Sequence, residues 1–286
     1  MKILMTGANG MLAKEVKEKF EDGNEMVLTD VAELDITDEN AVMDFVKQEK
    51  PDCIINCAAF TAVDKAETAG DIVEKINGDG PTNLAKAANE VGATLVHIST
   101  DYVFGGSLSL DKAYKEDDDK NPVTAYGITK LHGEQGIEAN TDKYYIFRTA
   151  WLYGIGGNNF VKTMTKLGTE RDEISVVSDQ HGSPTYAKDL AQIIYDAIDK
   201  QIPYGVYNAT NEGFTTWYDF TKEILAEQNI ECKVNPVTTE EYIEMMGVVQ
   251  AKRPFNSQMS KEKLINAGVN VPEWKDGLRR YLSECE

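Results

Sequence analysis

The chain reads as an α/β protein: a doubly wound parallel sheet carrying a smaller α/β lobe toward its C-terminus. Three observations predict this. Its 286 residues exceed one typical domain of roughly 100–200 residues without reaching three. Short, almost continuously apolar runs alternate with longer amphipathic ones, the pattern of strands covered on both faces by helices. A glycine-bearing turn, Gly7 to Gly10, joins the first apolar run to the first amphipathic one.

Taken in order, strands are predicted at Ile3–Thr6, Glu25–Asp30, Cys53–Ala58, Thr94–Thr100, Tyr144–Thr149 and Ile174–Ser178. Helices are predicted between them at Met11–Phe20, Asp38–Glu49, Val73–Val91, Thr124–Glu138 and Asn159–Thr169. Right-handed crossovers wind such units into an open sheet, with a ligand crevice beyond the carboxyl ends of the strands. The stretch Gly105–Asn121 interrupts the alternation, and its charge run from Lys115 to Lys120 reads as a solvated loop. Beyond Ser178 come a helix near Ala187–Asp199, a short strand near Val206–Ala209, a helix near Tyr218–Gln228 and two closing helices.

The charge balance narrows the partners. Acidic residues outnumber basic ones 48 to 29, a formal charge of −19. Such a surface repels nucleic acid and anionic membrane, so neither is expected as a partner. No apolar run approaches the roughly 18 residues of a spanning helix, and the N-terminus lacks a signal-peptide pattern. Cys53 and Cys57 are too far apart along an extended strand for a disulfide, and no Cys/His group has metal spacing. A reduced, cytoplasmic protein is expected, with no metal site assigned.

Gly7 and Gly10 allow a tight turn and close backbone approach to a diphosphate, at a helix N-terminus whose N–H groups are unpaired. The third motif position is Ala13 rather than glycine. Asp30, some 20 residues beyond Gly10, stands where a carboxylate accepts from an adenosine ribose and repels a 2′-phosphate, which favours NADH modestly over NADPH. At the reacting end, Tyr126 and Lys130 fall one helical turn apart on one face. An ammonium beside a phenol is expected to draw its pKa down from ~10 toward the working range. Thr100 closes a buried strand at the same sheet edge, so its hydroxyl can bind a substrate carbonyl oxygen.

Longer stretches carry a resemblance. Asn56-Cys57-Ala58-Ala59, Ser99 to Gly105 and Tyr126-x-x-x-Lys130 resemble the extended short-chain dehydrogenase/reductases, which have a Rossmann-like fold. Phe60 to Glu67, Phe147 to Tyr153, Gly157 to Phe160, Asp179 to Thr185 and Arg253-Pro254-x-Asn256-Ser257 resemble, among them, the dTDP-4-dehydrorhamnose reductase family. The resemblance implies NADH- or NADPH-dependent reduction of the C4 ketone of a 4-keto-6-deoxy sugar nucleotide. It implies a catalytic set of Thr100, Tyr126 and Lys130, with Lys130 also holding the nicotinamide ribose. It assigns Met11, Leu12, Asp35, Ile36, Ala58, Ala59 and Thr61 to the cofactor groove, and Thr100, Asp101, Trp151, Asn159 and Arg253 to the dTDP-sugar. Trp217 and Trp274 read as core packing. The resemblance allows a homodimer, and a magnesium ion held by acidic residues, without positions for either.

With the motifs in place, residues 1–150 are expected mainly to bind the dinucleotide and 151–286 mainly the substrate, with 170–200 returning to the first sheet. Three rivals share the fold. A sugar-nucleotide dehydratase needs a Glu where Tyr102 stands. An epimerase uses the same Tyr and Lys but keeps its cofactor. A regulatory subunit of a methionine adenosyltransferase binds the dinucleotide without needing the triad.

Overall fold

Five of the predicted strands lie side by side in one parallel sheet, and a sixth joins them from much later in the chain. The computed structural model describes residues 1–247 and 250–285. The strands are β1 (Lys2–Thr6), β2 (Glu25–Thr29), β3 (Cys53–Asn56), β4 (Thr94–Thr100), β5 (Tyr144–Thr149) and β6 (Gly205–Asn208), in spatial order β2-β1-β3-β4-β5-β6. Every pairing is parallel. The chain moves from β1 outward to β2, then back past β1 to β3, so the direction of winding switches between β1 and β3. A crevice opens at such a switch point, beyond the carboxyl ends.

Alternate strand residues feed opposite faces. On one face Ile3, Met5, Ile55, Val96 and Phe147 pack against α1 (Met11–Phe20) and, from the late part of the chain, Leu190, Ile193 and Ile194. On the other, Leu4, Ile54, Leu95 and Ile146 pack against α2 (Glu39–Glu49) and α3 (Gly80–Val91). α2 starts where Asp38 accepts from Ala41 N–H, and α3 ends at Gly92 in the left-handed conformation.

Three expectations are corrected. The helix predicted at Val73–Val91 is broken by a widened turn at Lys75–Asp79, because Pro81 has no N–H for the regular ladder. The segment predicted as Ile174–Ser178 forms a strand, Glu173–Val177, that is absent from the large sheet; it pairs in parallel with Lys233–Val237 in the second lobe. The return to the large sheet begins within the expected 170–200, as α6 (Ala187–Asp199), which follows α4 (Ala125–Asn140) and α5 (Phe160–Glu170), and β6 completes it beyond that range. Among the described residues three helices, not two, follow Gln228: Thr239–Met246, Glu262–Asn266 and Trp274–Cys285.

The second lobe has its own core. Val161 and Met164 from α5, Ile174, Val176, Phe220, Ile224 and Leu225, and Leu278 and Tyr281 from the C-terminal helix close around Tyr153 and Tyr186. Phe220, Ile224 and Leu225 belong to α7 (Trp217–Glu227), which begins where the Thr216 hydroxyl accepts from Asp219 N–H. No helix among the described residues is long and apolar enough to cross a membrane.

Candidate active site

The glycine turn is built for close approach. Gly7 has φ +66°, and a Cβ there would fall 2.6 Å from Ala58 N on the neighbouring strand's exit. Gly10 enters α1 in an extended conformation, no side chain caps the helix, and its first turn holds no acidic residue. The first N–H groups and positive end of α1 therefore carry no acidic side chain of the helix's own, which fits a dinucleotide diphosphate. Gly10, Met11, Leu12, Ala59 and Thr61 line a cleft of about 470 Å³ there.

Gly7, Asp30, Asp35, Ile36 and Ala58 lie outside that lining. Asp30 Oδ2 accepts from Asn9 N–H at 3.1 Å and Oδ1 from Val31 N–H at 2.8 Å, so its carboxylate braces the glycine turn. Asp35 Oδ1 accepts from the Thr37 N–H and hydroxyl, and Ile36 is buried with its carbonyl on Asn83 Nδ2. Ala58 contributes its backbone as the wall behind Gly7.

The far side of the same cleft is lined by Thr100, Tyr126 and Lys130. Thr100 ends β4, donates to Asp101 Oδ1 at 3.0 Å and accepts from Tyr102 N–H at 3.2 Å. Tyr126 sits in the first turn of α4, which is capped by the Thr124 hydroxyl. Its ring is 9% exposed and meets Tyr102 edge-on at 5.5 Å. Burial raises the phenol well above its usual value, and the Thr100 hydroxyl works against that shift.

Lys130 corrects one expectation. Its Nζ donates to Ile98 O at 2.5 Å and meets His97 Nε2 at 3.0 Å, rather than reaching the phenol. Burial lowers its pKa to about 8, and the Tyr126 phenol moves up, not down. A buried lysine turns toward the nearest acceptor, here the strand carbonyl, and helical spacing alone does not say where a four-carbon side chain ends.

A second crevice, of about 310 Å³, adjoins the first and shares Asp101, Tyr102 and Trp151 with it. Trp151 has φ +49° and stacks on Trp217 with ring centroids 3.7 Å apart. Trp217 packs against the second-lobe core, as expected, and also lines the crevice; Trp274 is buried at 5% exposure. At the first turn of α7 a side chain that packs on this lobe's core also borders the crevice.

Arg253 also lines this space. Its Nη2 donates to both Asp64 oxygens at 2.7 Å and its Nη1 to Tyr102 Oη at 2.9 Å. Asp101 is 4% exposed and accepts from Ser257 Oγ at 2.5 Å. Burial pushes its carboxyl up to about 6 against the hydrogen bonds from Ser257 and Thr100.

Asn159 does not join the crevice wall. Its Oδ1 caps α5 by accepting from Lys162 N–H at 3.0 Å, and its Nδ2 donates to Gly154 O at 2.7 Å. The capping role accounts for its residue type. Among the described residues no three His, Cys, Asp or Glu side chains gather as a metal site.

The match to known proteins is full-length. The model of the RmlD substrate binding domain family matches residues 1–286. A dTDP-4-dehydrorhamnose reductase crystal structure from Clostridium acetobutylicum is 47% identical, with 100% of this chain and 99% of that one covered at a TM-score of 0.94. One from Bacillus anthracis in complex with NADP is 42% identical, covers 99% of each and has a TM-score of 0.93. The dTDP-4-dehydrorhamnose reductase of Streptomyces griseus is 42% identical over 96% of this chain and 91% of its own. On these grounds, and on the geometry above, the chain belongs to the RmlD substrate binding domain family.

Proposed function

We propose that the chain reduces the C4 ketone of dTDP-4-dehydro-L-rhamnose to dTDP-L-rhamnose, using NADH or NADPH. One observation carries this reading. Thr100, Tyr126 and Lys130 meet in a single cleft, with an uncapped glycine turn at one end and the Trp151–Arg253 crevice at the other. The relatives named dTDP-4-dehydrorhamnose reductase, one of them in complex with NADP, supply the substrate and cofactor class.

The reduced nicotinamide, when bound, supplies a hydride to the ketone carbon. Gly7, Gly10 and the first turn of α1 would hold the diphosphate, and Lys130 a ribose hydroxyl. Thr100 would turn its hydroxyl proton from Asp101 Oδ1 to the ketone oxygen, and Tyr126 Oη gives its proton to that oxygen as charge develops, completing the alcohol. The raised phenol pKa keeps Tyr126 protonated and able to donate. Arg253 offers the fork suited to a substrate diphosphate in an otherwise acidic protein. Tyr102 is a poor base for a dehydratase: burial pushes its phenol up to about 12 and its oxygen already accepts from Arg253.

The reading places the enzyme in the cytoplasm. The reading is compatible with a homodimer; light scattering reads the assembly state. Mixing the purified protein with dTDP-4-dehydrorhamnose and either dinucleotide should consume nicotinamide absorbance stoichiometrically. Turnover without added dinucleotide would instead indicate an epimerase, and tight dinucleotide binding with no consumption a binding subunit. Asp30 is assigned to the adenosine ribose, so NADH should bind at least as tightly as NADPH in a fluorescence titration; much tighter NADPH binding removes that assignment.

A further inference from the structure

Behind the cleft lies a buried polar row that the glycine turn and the crevice do not use. Parallel register sets Thr6, Asn56 and His97 abreast on β1, β3 and β4, each only 1% exposed. Asn56 Oδ1 accepts from Thr6 Oγ1 at 2.7 Å and from Ala58 N–H at 3.0 Å. A backbone N–H only donates, so the amide oxygen must face Ala58, leaving Asn56 Nδ2 toward His97 Nδ1 at 3.0 Å.

An amide nitrogen also only donates, so Nδ1 is the accepting ring nitrogen. Burial, the largest cause, holds the imidazole pKa well below its usual value, so the ring is neutral. Its one proton then sits on Nε2, facing Lys130 Nζ at 3.0 Å. An ammonium there sets donor against donor. An amine instead accepts from Nε2–H through its lone pair while donating to Ile98 O.

From this geometry we infer that His97, its proton held on Nε2 by Asn56, is a positioning residue that disfavours the ammonium form of Lys130. The inference rests on the reductase reading, in which Lys130 holds a nicotinamide ribose hydroxyl. Other titratable groups near Nζ do not reverse it. Cys57 is an uncharged thiol, pushed up to about 12 by burial. Glu134, one turn further along α4, is paired with Arg148 at 2.6 Å and accepts from Ser99 at 2.5 Å. Tyr126, one turn earlier, is held protonated by burial. Burial of Lys130 itself acts in the same direction as His97.

Both the ring tautomer and the lysine titration can be read on the full chain alone, so their failure is separable from failure of the reductase reading. Nitrogen-15 NMR of histidine-labelled protein should show His97 protonated at Nε2 through neutral pH. A proton on Nδ1 overturns the inference. In His97→Gln the amide can turn its oxygen toward Nζ, so the Lys130 midpoint, followed by carbon-13 NMR, should rise by about one pH unit or more. The alkaline limb of kcat should move up with it, since the lysine charge is then lost at higher pH. An unchanged midpoint in folded H97Q also overturns it, and if H97Q does not fold, the wild-type tautomer decides.

Discussion

Tyr126 is positioned by packing as much as by hydrogen bonds. Its ring lies among Ala66, Val73 and Tyr102, so Tyr126→Phe keeps those contacts and loses only the proton. Turnover should fall by about 10² or more while dinucleotide affinity changes little; near-normal turnover would remove Tyr126 as the acid. Asp101 gives a pH-dependent counterpart. Its folded pKa of about 6 lies above its ordinary 3.8, so its stabilising protonated form is fully present below about pH 4 and lost as pH rises through 6. Asp101→Asn should therefore gain on the wild type across that window, by about 3 kcal/mol at most. A stability gap flat from pH 4 to 8 in urea unfolding would contradict it. At this scale the sequence was most legible where residue type and position were both restrictive: Gly10, Thr100, Tyr126, Lys130, Trp151 and Arg253 all line the two connected spaces, and Gly7 packs behind them against Ala58. Asn159 was misleading because a capping asparagine and a ligand asparagine look alike in sequence.

At the scale of elements, α4 owes its position to missing side chains. A Cβ on Gly127 would lie 2.3 Å from Tyr102 O, and one on Gly133 would lie 2.2 Å from Asn77 O, so the helix carrying Tyr126 and Lys130 sits directly on backbone. Gly182 does the same for the crevice: a Cβ there would come within 2.9 Å of the Trp151 ring, which Trp217 closes from another side. Gly182→Ala should displace that stack, lowering kcat/KM for the sugar nucleotide by about 10- to 100-fold and changing tryptophan fluorescence, with dinucleotide binding intact. Unaltered kinetics and emission would show that the ring has room to spare. Periodicity read most helices correctly, because 3.6-residue spacing survives tertiary context. It could not reveal the widened turn before Pro81 or the sheet to which Glu173–Val177 belongs, since a short apolar run looks the same in either.

Across the whole molecule, the two lobes are interleaved along the chain. After β5 the backbone builds part of the second lobe, returns as α6 and β6, and leaves again. A division at residue 150 removes Leu190, Ile193 and Ile194 from the first core, roughly 5–9 kcal/mol of apolar burial. That is comparable with the entire stability of a typical domain, about 5–15 kcal/mol. The fragment 1–150 is therefore expected to show no cooperative urea transition by circular dichroism; a sigmoidal one would mean the five-stranded sheet stands alone. Sequence order suggested the doubly wound class because alternation is local, whereas the late edge strand depends on a pairing between Tyr145 and Gly205 that no local pattern encodes. During synthesis this matters in a different way. Once Thr149 has left the ribosome, β5 presents an unpaired backbone flank until Asn208 follows it, roughly 3–12 s later at 5–20 residues per second. For that interval the nascent protein carries an open sheet margin, the kind of surface that chaperones shield and aggregates recruit.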